Sequence, residues 1–243
     1  MAENQSGNAI LMLVLSIVIT VLLYYVPYGH VVAYPLLLLS TLAHEMGHGV
    51  ASVLVGGNFE QFVLYQDASG VATSSWYGTP TRFQSACTSA GGLVGPAFVG
   101  MVMFIIGKHD KLNKGFLCLI GIGLLLSVLL VVRNMFGMIF VGSVGVCTLV
   151  VGVYCKPRIA QLFSYLIGVQ LALSVFSRGD YLFMEYAETT AGRMPSDVAK
   201  MSQSLFLPYW VWGLICGGIS VTFLLIGLYI TFRTESSSTK TVQ

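Results

Sequence analysis

Apolar runs of about twenty residues recur along this chain, and they constrain its fold more than any other feature. A run of that length crosses the hydrocarbon core of a bilayer as an α-helix. Seven such segments are predicted, at roughly 9–28, 34–55, 86–106, 115–132, 135–154, 159–177 and 209–231. Composition agrees. Hydrophobic residues make up 56% and charged residues 9%, against about 25% charged in ordinary globular chains. So little polar surface cannot cover a water-soluble globule. The expected fold is an all-α integral membrane protein of about seven transmembrane helices.

The 243 residues are read as one polytopic domain, 1–243, with no internal repeat. The polar start, Met1 to Asn8, carries no Lys or Arg, and no small-residue cleavage signature follows the first run, so that run is expected to be a retained span. The net charge of +2, with no basic stripe among aromatics, excludes nucleic acid as a partner. The five cysteines form no CxxC pair, and most lie in or beside apolar runs, where free cysteine acts as a small hydrophobe. Lys108, Lys111, Lys114, Lys156, Arg158, Arg233 and Lys240 fall on one side of the predicted topology. Arg82, Arg133, Arg178, Arg193 and Lys200 fall on the other. This is a slight positive-inside bias with the N-terminus outside.

Two stretches between spans are long enough for structure of their own. In 59–76, Phe59 to Tyr65 and Val71 to Trp76 are rich in aromatic, β-branched and hydroxyl residues around a Gln66–Gly70 turn. This pattern predicts a β-hairpin at the membrane surface. The second stretch, 178–208, is a charged extramembrane segment, read as a loop or a short amphipathic helix.

The second segment contains His44-Glu45-Met46-Gly47-His48, an H-E-x-x-H pattern. Residues four apart on a helix share one face, so both imidazoles can reach one cation. Zinc suits nitrogen ligands in a tetrahedral site. Glu45 lies about 100° round the helix, placed to take a proton from an attacking water and return it to the leaving amine. Ionisable groups within a span are costly and functional by default. The bland alternative is a pair of histidines hydrogen-bonded to neighbouring helices. Ser40, His44, His48 and Ser52 form one polar row, beside a small-residue row of Ala43, Gly47 and Ala51.

A third protein ligand is required. Asp180 ranks first, because one more turn of the sixth segment would carry it to membrane depth. Asp197 ranks second; its Ser196-Asp197 context also fits the first turn of a short helix. Glu185, Glu188 and Asp67 follow. Asn134 is a candidate to hold the substrate carbonyl or oxyanion, against a simple helix-packing hydrogen bond.

At these residues the sequence resembles the M50 metallopeptidases, the site-2-protease family, most nearly its M50B-like branch. The resemblance is carried by His44-Glu45-Met46-Gly47-His48-Gly49, the Gly56-Gly57 hairpin region and Ala90-Gly91-Gly92-Leu93-Val94-Gly95-Pro96. Arg133-Asn134 with Gly137, and the stretch from Ser196-Asp197 to Trp212, add to it. It implies a zinc-dependent endopeptidase acting within or at the surface of a cell membrane, the inner membrane if the source is bacterial. It also implies an aspartate third ligand from a later segment. The family pattern there is Asp-Gly, whereas Asp180 is followed by Tyr181. The implied substrate is a membrane protein or membrane-associated peptide, captured by β-addition to the hairpin edge. Gly91, Gly92, Gly95 and Gly100 are read as packing residues against the zinc helix. The rival readings are an inactive membrane binding or regulatory relative and a transporter. Paired ionisable groups and repeat-like halves would mark the transporter, and neither is present.

Overall fold

The computed structural model describes residues 2–25, 28–177, 182–189 and 192–233. All seven predicted segments fall on helices: α1 (Ala2–Tyr25), α2 (Gly29–Leu54), α3 (Arg82–Gly107), α4 (Asp110–Leu130), α5 (Met135–Tyr154), α6 (Pro157–Ser177) and α8 (Tyr209–Phe232). A short helix, α7 (Asp197–Leu205), precedes the last. Among the described residues, four helices are long and apolar enough to cross a membrane by themselves: α3, α4, α5 and α8. Their length and apolarity suit the hydrocarbon core of a bilayer. Within α1, Ile10–Leu22 is an apolar helical stretch.

α2 and α6 carry more polar residues, and the packing accounts for them. Gln161, Ser164, Gln170 and Ser174 of α6 are all buried, as are Ser40, Thr41, His44, Glu45 and Ser52 of α2. These groups are enclosed in protein, where several find partners on neighbouring helices rather than facing lipid. Gln170 donates to Ser40 Oγ (3.2 Å), Ser164 to Asn113 Oδ1 (2.6 Å) and Gln161 to the Gly107 carbonyl (2.8 Å). At one end of the bundle, Lys108 Nζ caps α8 through the Ile230 carbonyl (2.8 Å), and Lys114 Nζ caps α5 through the Cys155 carbonyl (3.0 Å). Each ammonium sits where the helix dipole favours a cation.

The expected hairpin forms one residue earlier than the pattern suggests, as β1 (Asn58–Leu64) and β2 (Gly70–Ser75), antiparallel, with Phe62 opposite Ala72. It is more than a surface cap. Phe62 and Leu64 are fully buried against Leu38, Leu42, Val132 and Val141. The outer edge of β1 is also closed. Phe62 N–H donates to the Val131 carbonyl (2.7 Å), and Arg133 N–H donates to Phe62 (3.0 Å), so the α4–α5 turn acts as a third, parallel strand. Among the described residues, the β2 side of this sheet pairs with no further strand.

The 178–208 stretch departs from a plain loop or helix. It holds a second hairpin, β3 (Tyr186–Thr189) with β4 (Gly192–Pro195), followed directly by α7. α7 is amphipathic: Val198, Met201 and Leu205 pack with Ala86, Leu93 and Ala97 of α3 and with Cys216 of α8. That anchoring brings Asp197, in the first turn of α7, against His44 and His48 of α2.

Candidate metal centre

α2 presents His44 and His48 on one face, one turn apart, their rings edge to face with centroids 4.6 Å apart. The helix crosses α3 where both lack side chains. A methyl on Gly47 would overlap the Gly91 carbonyl, and one on Gly92 would overlap the His48 ring. Gly91, Gly92 and Gly95 therefore pack against α2 as expected. Gly100 does not; it faces Gly168 and Ala172 of α6. The close crossing brings the Thr88 carbonyl within 2.7 Å of His48 Nδ1. A proton on Nδ1 donated to that carbonyl leaves the Nε2 lone pair directed at the centre, the tautomer a metal requires.

The carboxylate that meets the imidazoles belongs to Asp197, the second-ranked candidate. Its Oδ2 lies 3.1 Å from Nε2 of His44 and 3.1 Å from Nε2 of His48, and the two nitrogens are themselves 3.1 Å apart. A tetrahedral zinc with ligands at 2.0–2.1 Å separates its donors by about 3.3 Å. The triangle thus fits a cation with an outward movement of a few tenths of an ångström. Among the described residues it is the one group of three or more such side chains able to hold a metal. Asp180, the first-ranked ligand, lies outside the described residues.

Asp197 is also the first-turn acid that its local sequence suggests. Ser196 caps α7, its Oγ accepting from Ala199 N–H (3.2 Å) and donating to the Met184 carbonyl (2.6 Å). The capping role and the ligand geometry coincide in one element. Burial pushes the Asp197 pKa up, but the neighbouring imidazoles outweigh it and hold the carboxyl well below the usual carboxylate range. Its other oxygen, Oδ1, accepts from Lys200 Nζ at 3.4 Å.

Glu45 faces the same cleft without joining the triangle. Its Oε2 accepts from the Ala72 amide of β2 (2.8 Å). Gly70 permits this approach, since a side chain there would crowd Thr41 and the Glu45 stem. Thr41 donates to the Ala68 carbonyl (2.7 Å), Tyr34 to the Gln66 carbonyl (2.6 Å) and Ser74 to Ser52 Oγ (2.8 Å), so α2 holds the hairpin along its length. The outer members of the polar row bind neighbours, Ser40 on α6 and Ser52 on β2, while the inner two face the centre.

Asn134, the expected oxyanion candidate, is placed elsewhere. Its amide pairs in both directions with Leu64, donating to the carbonyl (2.6 Å) and accepting from the N–H (3.2 Å). It is spent pinning the far edge of β1, with the hairpin between it and the cleft. The cleft itself, about 380 Å³, is lined by His44, Glu45, His48 and Asp197, the β2 edge from Gly70 to Ser74, the α3 and α7 faces, and Ala187, Met194 and Pro195 of the second hairpin. Sequence reasoning passed over Lys200, whose spacing three residues after Asp197 was the available signal.

A family model described as Peptidase M50B-like matches residues 11–227. No curated protein and no solved structure matches the chain.

Proposed function

From the premise that this chain belongs to the M50B-like peptidase family, we propose that it is a zinc-dependent endopeptidase cleaving membrane proteins or membrane-associated peptides. The observation that carries the reading is the convergence of His44, His48 and Asp197 on one point beside Glu45. Two nitrogens and one carboxylate oxygen, with room for a fourth ligand, are the donor set of a hydrolytic zinc site. When bound, zinc polarises the scissile carbonyl and lowers the pKa of a water in the open position to about 7.

The rest falls to the chain. His44 and His48 present Nε2 lone pairs, the second held in that tautomer by Thr88. The Ala72 amide fixes one oxygen of Glu45, which leaves the other to accept the water's proton and pass it to the leaving nitrogen. A helical substrate hides its carbonyls in internal hydrogen bonds, so it must unwind before attack. The open edge of β2 offers an unwound segment backbone partners directly beside Glu45. The location that fits is a cell membrane, the inner one in a bacterial source.

The test is metal analysis and cleavage on detergent-purified protein. The wild type should hold one zinc and lose cleavage with a chelator. Glu45→Gln should keep the zinc and abolish turnover. Retained turnover in that variant would refute the assignment of Glu45. Zinc without turnover in the wild type would favour an inactive binding relative.

A further inference from the structure

The cleft has a second wall beside the metal triangle whose chemistry the hydrolytic reading does not use. α3 contributes Ser85, Thr88 and Ser89; α7 contributes Lys200, Gln203 and Ser204. Each set is spaced i, i+3, i+4, so each lies on one helix face. The two faces meet because Val198 and Met201 lock α7 onto Ala86 and Leu93 of α3. The result is a polar recess in a protein whose surroundings are otherwise apolar.

The charge in the cleft says what the recess takes. Lys200 is the one ammonium or guanidinium among the described residues lining the cleft. Its side chain is 49% exposed, and its contact with Asp197 is long at 3.4 Å. With a divalent cation in the triangle, the metal and Lys200 exceed Asp197 and Glu45 by one positive charge, which an anionic ligand would balance.

We infer that the recess formed by Lys200 and the polar side chains of α3 and α7 that line the cleft is a carboxylate subsite, selecting substrates with an acidic group beside the scissile bond. The carboxylate can come from an Asp or Glu side chain or from a free C-terminus. The inference rests on the peptidase reading for the position of that bond, but the recess itself is tested by binding alone.

The experiment uses zinc-loaded full-length Glu45→Gln protein in detergent and fluorescently labelled apolar peptides. Each carries a single Glu, Gln or Lys at successive positions, with a free or amidated C-terminus, and binding is read by anisotropy. A half-exposed charge pair should make the Glu peptide bind about two- to fivefold tighter than the Gln peptide. Adding Lys200→Met should level the two, and Lys200→Glu should reverse the order in favour of Lys. Adding Lys200→Arg should keep the preference, and zinc content should be unchanged in all of them, which separates a substrate contact from support of Asp197. Preference for an internal Glu marks a side-chain site; preference only for the free acid marks a terminal-carboxylate site. Equal binding of Glu and Gln peptides, or a Glu preference that survives Lys200→Glu, overturns the subsite. If the preference holds while wild-type protein cleaves none of these peptides, the hydrolytic reading fails and the subsite stands.

Discussion

The two hairpins form opposite walls of one cleft, yet they are held in different ways. β1–β2 buries Phe62 and Leu64 completely, is hydrogen-bonded to α2 by Tyr34, Thr41 and Ser52, and is paired along its outer edge with the α4–α5 turn. β3–β4 has four-residue strands, with Tyr186 and Met194 each 40% exposed. Among the described residues, its ties include those at its base, where Ser196 binds Glu185 through its N–H and Met184 through its hydroxyl. One wall is built into the bundle and fixes the general-base candidate; the other hangs from the cap of the helix that delivers Asp197. The contrast implies that substitutions in the first wall cost stability, and that those in the second matter mainly where they reach Asp197.

The largest effect should come from the point where the lightly held wall meets the metal. If the proposed zinc site holds, Asp197→Ala removes one of its three candidate ligands and should bring bound zinc close to zero, measured by metal analysis after dialysis. Asp180→Ala should keep its zinc. The reverse result would move the third ligand to Asp180. Next comes Asn134→Ala, which strips both backbone partners from Leu64. Leaving those groups unpaired should cost about 1–3 kcal/mol, seen as a lower midpoint of thermal unfolding with zinc stoichiometry intact. Thr41→Val deletes one hydroxyl bond to the Ala68 carbonyl and should cost about 1 kcal/mol by the same assay. Smallest is Arg193→Ala. The guanidinium lies 4.5 Å over the Tyr186 ring, and such exposed pairs contribute about 0.5 kcal/mol. If Arg193→Ala destabilises as much as Asn134→Ala, the distinction between the two walls is broken.

What the sequence disclosed follows the range of the interactions involved. The juxtaposition of His44, Glu45 and His48 depends on one helical turn, and it can be read from spacing. The first hairpin is set by local alternation and the Gln66–Gly70 turn, and its position shifts by a single residue. Asp197 could be read as a capping acid and as the second-ranked ligand but not placed first, because its reach to α2 depends on Val198 and Met201 docking α7 onto α3, more than a hundred residues away. The second hairpin escaped notice since its strands are short, exposed and without clear alternation. Asn134 was legible as a buried amide, but not its partner, since pairing with Leu64 requires the α4–α5 turn to lie beside β1. The polar residues of α2 and α6 look costly in a span until the packing shows them facing each other.

The closure of β1 by the α4–α5 turn has a consequence for traffic through the molecule. A sheet with two bare flanks accepts a visiting chain on either one, and half of such encounters lead nowhere. Under the proposed peptidase reading, a visitor meets one flank that pairs with no further strand among the described residues, and it is the flank that runs past Glu45. Idle attachment is discouraged by the layout of the backbone itself, before any side-chain preference comes into play.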